Sequence, residues 1–152
     1  RYMESEALYP FGYGLSYTKF ALHGTRISCS EVTEKGILVE TEVENIGDYD
    51  GAETVQVYVK VEQEQTPHAQ LKGLCKVYLK RGEKRKVSIW LAEEDFGLYG
   101  EDCKKWVRKG NCKIYVGTSQ PDLRSCSLRG QKPEEFLVQV LESRVVGDGK
   151  RI

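Results

Sequence analysis

The sequence predicts an all-β fold of the β-sandwich class. Three observations favour it: short runs in which apolar and polar residues alternate, clusters of turn-forming residues between those runs, and the lack of a long helical pattern. About six or seven such strands suit a sandwich. The chain has 152 residues, of which 39% are hydrophobic and 30% charged. That length and composition are typical of one globular domain with a sizeable core.

The first clear strands lie in two runs on either side of a turn. In GILVETEVEN one face carries the apolar positions and Thr41 and the other face carries mostly glutamates; the inward residues are Ile37, Val39, Thr41 and Val43. Residues 45–51 are rich in turn formers. In ETVQVYVKV four valines alternate with residues predicted to point outward, namely Gln56, Tyr58 and Lys60. The polar segment that follows contains Pro67, which predicts a loop.

A hairpin is predicted next. LKGLCKVYL and EKRKVSIWL flank the turn residues Arg81 and Gly82, and such spacing favours two antiparallel neighbours. In the second arm the inward positions are Val87, Ile89 and Leu91, and the outward positions are Lys84, Lys86, Ser88 and Trp90.

The remaining elements are less regular. Residues 92–102 predict a longer loop, and WVRKGNCKIYVG predicts one strand with alternating Cys112, Ile114 and Val116. SCSL suits a last short strand. In the tail, residues 129–152, strand and helix are equally defensible.

The segment YPFGYGLSY near the N-terminus has an aromatic face and a back of Pro, Gly and Ser. Its period of two indicates an extended segment. The aromatic face suits either a platform for sugar rings or an anchor that packs on a neighbouring surface. Gly12 and Gly14 favour the anchor, because they allow another backbone to approach closely. Residues 1–19 are therefore predicted to be an interdomain strap.

Composition and motifs indicate no nucleic-acid, membrane, metal or cofactor site in this chain. Lys plus Arg and Asp plus Glu both number 23, which gives no electrostatic case for nucleic acid or for a membrane surface. No apolar run approaches the ~18 residues of a membrane span. Two histidines, five cysteines and no CxxC indicate neither a metal site nor a cofactor. The scattered cysteines suit a reducing compartment, so we expect a cytoplasmic protein, although a Cys103–Cys112 bridge stays open.

Three carboxylates on one strand face raise the question of acid–base catalysis. Glu40, Glu42 and Glu44 share the outward parity of Lys84 and Lys86. If the two strands pair, the five side chains form cross-strand ion pairs on a solvent-exposed surface. That interpretation is favoured, since a catalytic pair needs partial burial to shift one pKa.

Four motifs, in order, resemble the C-terminal fibronectin type III-like domain of glycoside hydrolase family 3. They are YPFGYGLSYT followed by Phe20, VENIGDYDGAETVQVYV, LKGLCKVYLKRGEKRKVSIWL and WVRKGNCKIYVGTSQPDLR. The second is similar to the family's V-x-N-x-G-x-x-x-G-x-E-x-V-Q-x-Y-V. Together they cover residues 9 to about 128, and the tail from Gly130 is not covered.

The resemblance implies an immunoglobulin-like sandwich over residues 20–128 that braces the catalytic domains of the same polypeptide. It also implies that the longer protein is a retaining β-glycosidase acting on β-glucosidic or β-xylosidic bonds. In the family the catalytic Asp and Glu belong to a barrel and to an α/β domain whose motifs are not in this chain, so no catalytic residue is carried over. Arg1 in place of Met also suggests a fragment. Oligosaccharide is expected only through the longer protein, which is a candidate homo-oligomer.

Two other functions stay open, a self-standing carbohydrate-binding module and a protein-interaction module. The candidate site is an interdomain contact made by aromatic, glycine and neighbouring residues. Its members are Tyr9, Pro10, Phe11, Gly12, Tyr13, Gly14, Leu15, Ser16, Tyr17 and Trp90. Leu38 shares the outward face of Trp90.

Overall fold

The predicted all-β sandwich is confirmed. A computed structural model describes residues 18–62, 68–119, 121 and 132–148. The elements are β1 (Phe20–Ile27), β2 (Ile37–Asn45), β3 (Gly51–Val61), β4 (Gln70–Leu79), β5 (Lys84–Leu91), a 3₁₀ turn (Glu93–Phe96), β6 (Leu98–Tyr99), β7 (Lys104–Val107), β8 (Gly110–Gly117), β9 (Glu134–Val140) and β10 (Arg144–Asp148). Their buried side chains form one apolar core.

The first sheet has the order β1-β2-β5 and is antiparallel throughout. The predicted alternation in β2 and β5 is confirmed. The inward residues Ile37, Val39, Thr41, Val43, Val87, Ile89 and Leu91 are all buried. Burying that many branched side chains on one face fixes the register, because a slip of one residue would turn them to water.

The second sheet has the order β4-β3-β8-β9 and is also antiparallel. For the tail, where strand and helix were equally defensible, the structure shows strands. β9 pairs with β8, and Val138 and Val140 join the core at 0 and 2% exposure. The sheet therefore runs past residue 128, where the sequence predicted the sandwich to end.

The predicted hairpin of residues 71–91 is wrong, because β4 and β5 belong to different sheets. Glu83 N–H donates to Lys80 O at 2.9 Å, and Gly82 has φ +74°. This tight turn carries the chain across the sandwich. A Cβ on Gly73 would lie 2.5 Å from Ile89 Cγ2, so the glycine lets the two strands pack face to face. A hairpin and a crossing between two sheets can have the same alternation and the same short turn. The sequence pattern therefore could not distinguish them.

Gln56 and Tyr58 alternate with the core valines of β3, as predicted, yet both are 4% exposed. Two of the three residues predicted to point outward are thus buried, and the third, Lys60, is half-buried. Tyr58 Oη donates to Gln56 Oε1 at 2.7 Å, and Gln56 Nε2 donates to Thr118 O at 3.2 Å. These bonds satisfy the polar groups that burial would otherwise make costly.

The region after β5 differs from the prediction in two ways. Residues 92–102 contain the 3₁₀ turn and β6, and residues 106–117 hold parts of two strands instead of one. β7 pairs with β6 and β10 in a small third sheet, while β8 belongs to the second sheet. The break falls before Gly110, whose φ of +147° a regular strand does not adopt.

Candidate functional site

The outer face of the first sheet carries the predicted rows of opposite charge. Glu42 lies opposite Lys86 and Glu44 opposite Lys84 in the β2–β5 register. Lys84 Nζ lies 3.9 Å from Glu44 Oε2. The pairing is confirmed, but the glutamates are half-buried rather than fully exposed. We expect each such pair to contribute only about 0–1 kcal/mol, as surface ion pairs do.

Two residues of β1 that the sequence did not single out complete this charged face. His23 Nε2 lies 2.7 Å from Glu44 Oε2, and Arg26 Nε donates to Glu40 Oε2 at 2.8 Å. They could be identified only from the pairing of β1 with β2, which the sequence pattern does not show. Glu40 and Glu44 thus have cationic or imidazole partners on this face, as expected of surface ion pairs.

Trp90 stands at the end of the same face and is 56% exposed. It lies opposite Leu38 in the register. Both side chains line a cleft of about 500 Å³ whose other wall is the segment between β1 and β2, residues 28–36. An exposed indole beside polar groups is typical of a sugar-binding surface. Parity predicted the outward Trp90, but nothing in the sequence indicated the wall of this cleft.

The other members of the predicted interdomain contact, Tyr9 to Tyr17, lie outside the described residues. The chain after them is held firmly. Thr18 Oγ1 donates to Asn45 Oδ1 at 2.8 Å, and the N–H groups of Ile46 and Gly47 donate to Lys19 O at 2.8 and 3.1 Å. A Cβ on Gly47 would lie 2.0 Å from Thr18 Oγ1. The V-E-N-I-G motif thus fixes the point at which the predicted strap meets the sandwich.

Asn45 is the centre of this anchor and is 1% exposed. Its Nδ2 donates to Tyr49 O at 2.8 Å and to Leu79 O at 3.1 Å, while its Oδ1 accepts from Thr18 and from Gly47 N–H. Its backbone N–H donates to Glu83 O at 3.0 Å, and its carbonyl accepts from Gly82 N–H at 3.1 Å. One side chain therefore joins the strap end, the β2–β3 turn and both sheets.

The bridge between Cys103 and Cys112 is not formed, and the four described cysteines are free thiols. Cys103 is exposed, whereas Cys112 is 1% exposed in the core. Burial, and secondarily the Glu62 carboxylate, raise the pKa of the Cys112 thiol to about 11. The expected cytoplasmic location stays a prediction.

We expect a maleimide reagent at pH 8 to label Cys29 and Cys103 while Cys112 stays unmodified, as peptide mass spectrometry would show. Because the folded pKa of Cys112 lies above its ordinary value of 9.0, this thiol favours folding below pH 9 and loses that contribution as the pH rises toward 11. A Cys112→Val variant should lack that loss in urea titrations between pH 9 and 11. Labelling of Cys112 as fast as of Cys29 would contradict its burial.

Neither a metal centre nor a membrane helix is found in the described part of the chain. Within residues 18–62, 68–119 and 132–148, no three His, Cys, Asp or Glu side chains stand close enough to hold an ion. No helix among those residues is long and apolar enough to cross a bilayer.

Comparison with known proteins adds the family context. A profile of the fibronectin type III-like domain matches residues 53–120. The chain is 38% identical over 122 residues to thermostable beta-glucosidase B of Acetivibrio thermocellus, covering 78% of this chain and 16% of that protein. It is 41% identical over 117 residues to an exo-alpha-(1→6)-L-arabinopyranosidase of Bifidobacterium breve, covering 75 and 15%. Among solved structures, the GH3 beta-glucosidase of Bifidobacterium adolescentis superposes with a TM-score of 0.71 at 34% identity, covering 95% of this chain and 19% of that one. The chain thus spans less than a fifth of the length of these relatives.

Proposed function

Since this chain is a fibronectin type III-like domain of the kind found in family 3 glycoside hydrolases, we propose that it is a non-catalytic domain that braces the catalytic domains of a longer β-glycosidase. The observation that carries the proposal is coverage: the chain matches only 15 to 19% of each relative reported above. We expect the reaction to take place in the remaining four-fifths of such a protein.

The described surface supports a structural role. Hydrolysis of a glycosidic bond by the usual route needs two carboxyl groups on either side of the bond, one of them with a raised pKa. On the charged face of the first sheet, Glu40 and Glu44 are instead bonded to Arg26 and His23. The longer protein is the expected hydrolase, with β-glucosides or β-xylosides as its substrates.

The choice of sugar is expected to lie outside this domain. The two relatives reported above share similar identity with this chain, yet one is named for glucose and the other for L-arabinopyranose. A domain that resembles both equally is poorly placed to discriminate their substrates. Homo-oligomer formation through the longer protein stays a prediction.

The bracing contact is proposed to run through the strap, Tyr9 to Tyr17, next to the anchor at Thr18 and Asn45. The expected contact of Trp90 with a neighbouring domain also stays a prediction. The cleft around that indole supports ligand binding instead. An interdomain contact of Trp90 would contradict ligand binding in the test described below.

A double variant, Phe11→Ser with Tyr13→Ser, tests the brace. In the longer protein we expect a thermal midpoint several degrees lower and reduced hydrolysis of aryl β-glucosides, because two large apolar surfaces lose their cover. The 152-residue chain carrying the same changes should unfold like the unmodified chain, and it should hydrolyse nothing in either form.

Tyr49→Ser is the matched control, because Tyr49 is 65% exposed in the turn after β2. It should leave the midpoint of both proteins unchanged. Equal destabilisation of the chain and the longer protein by the double variant would place the strap in this domain's own core. No effect on the longer protein would remove the bracing contact.

A further inference from the structure

The cleft beside Trp90 has the form of a small-molecule site. Its volume of about 500 Å³ lies within the range of about 300–1,000 Å³ that ligand pockets occupy. The apolar part is formed by Trp90, Leu38 and Gly36, and the polar part by the segment 28–36. Ligand pockets commonly combine an apolar surface with a few polar groups that fix the ligand's orientation.

The indole of Trp90 is held in position although most of it is exposed. A Cβ on Gly36 would lie 2.8 Å from Trp90 Cζ2, 3.0 Å from Cε2 and 2.3 Å from Leu91 O. Only glycine allows the ring to rest this closely on the backbone, and the φ of +70° at Gly36 also favours glycine. The ring is therefore seated against the loop before any ligand arrives, so its ordering costs little on binding.

The polar wall is equally fixed, because residues 28–36 are tied to both sheets. Ser28 N–H donates to Leu38 O at 2.9 Å, and Leu38 N–H donates to Ser28 Oγ at 3.0 Å. On the far side Val32 N–H donates to Gln139 O at 2.9 Å, and Gln139 N–H donates to Ser30 O at 2.8 Å. This parallel bridge to β9 makes the wall a part of the sandwich.

Most of the surface that lines the cleft is apolar, which suits the flat face of a ring, and a few polar groups accompany it. Ser30 and Thr33 contribute hydroxyl groups, Glu31 a carboxylate and Lys35 an ammonium group, so a ligand that covers the indole finds a small number of donors and acceptors. The two opposite charges cancel, which favours neither an anion nor a cation. The indole offers a flat apolar surface at the other side.

We propose that this cleft binds a neutral β-linked oligosaccharide, with one pyranose ring stacked on Trp90 and its hydroxyls bonded to the loop 28–36. The choice of a β-linked sugar rests on the proposed function, because a β-glycosidase would bring this domain into contact with β-linked chains.

Titration of the 152-residue chain with cellotetraose and xylotetraose tests the proposal. Isothermal titration calorimetry follows the binding, because it reads every variant alike, including the one that lacks Trp90. We expect saturable binding with a Kd of about 1 mM, at the weak end of specific recognition. Trp90→Ala should raise the Kd by about tenfold or more, and Glu31→Gln by a smaller factor.

Tyr78→Ala is the matched control, since Tyr78 is 59% exposed but belongs to β4 of the other sheet. It should leave the Kd unchanged. Cys29 provides a second readout, because it lines the cleft while the exposed Cys103 does not. Bound cellotetraose should slow maleimide labelling of Cys29 and leave that of Cys103 unaltered.

Three results would overturn the proposal: no saturation up to the solubility limit of both sugars, equal affinity of the Trp90→Ala variant, or equal protection of Cys29 and Cys103. Burial of Trp90 in the longer protein, seen as a lower thermal midpoint of its Trp90→Ala variant, would favour the interdomain contact instead. These measurements are independent of the strap variants, so either proposal can fail without the other.

Discussion

Replacing Phe96 by alanine is expected to lower the free energy of unfolding by about 3–5 kcal/mol, the usual cost of removing a buried phenylalanine. Phe96 is 1% exposed and is among the largest fully buried side chains of the described residues. It ends the 3₁₀ turn, where Ala92 N–H donates to Asp95 Oδ2 at 2.8 Å. Since the turn is pinned by this bond, the surroundings cannot collapse easily into the cavity.

Urea titration of the chain, followed by far-UV circular dichroism, would measure the effect. Phe96→Leu keeps most of the volume and should cost less than about 1.5 kcal/mol. Tyr99→Ala, at a position 61% exposed on β6, should be near neutral. A loss below about 1 kcal/mol for Phe96→Ala would mean that this side chain is not packed in the core.

Replacing Asn45 by alanine is expected to cost about 3 kcal/mol or more, because several buried partners lose their hydrogen bonds at once. The carbonyls of Tyr49 and Leu79 both accept hydrogen bonds from the Asn45 amide. Each buried group left without a partner costs about 1–3 kcal/mol. The loss should appear as a lower urea midpoint with an unchanged slope, since the folded state keeps its compactness.

Asn111→Ala is the matched control for this change. Asn111 is exposed on β8, so its removal should alter stability by less than about 0.5 kcal/mol. Because Asn45 also fixes Thr18, its alanine variant in the longer protein should weaken the bracing contact as well as the sandwich. Equal stability of the two asparagine variants would show that the hydrogen bonds of Asn45 contribute nothing net.

The alternation of β2 and β5 was readable from the sequence because burial on one face imposes a period of two. The same signal could not tell which strands pair. The turn at Arg81 and Gly82 has the composition of a hairpin, and only the packing of Gly73 against Ile89 shows that it joins two sheets. Pairing is decided by contacts between distant residues, which local pattern does not record.

The site was harder to predict than the fold. Parity placed Trp90 on the outer face, but its cleft depends on the loop 28–36, whose shape comes from the bridge to Gln139. That bridge joins residues more than a hundred positions apart, and nothing in their identity announces it. Gln56 and Tyr58 were likewise placed on the correct face, while their burial was invisible to a pattern of alternation.

The crossing between β4 and β5 has a consequence for how this chain folds. Ile37 lies opposite Leu91, yet β3 and β4 intervene in the chain and belong to the other sheet. The chain loses the entropy of closing that long loop before the β2–β5 ladder gains its hydrogen bonds, so we expect slow folding. We also expect the two sheets to form in one cooperative step. A fragment trimmed to residues 53–120 would lack β1 and β2. The edge of β5 that normally pairs with β2 would then be unpaired and open to pairing with other molecules.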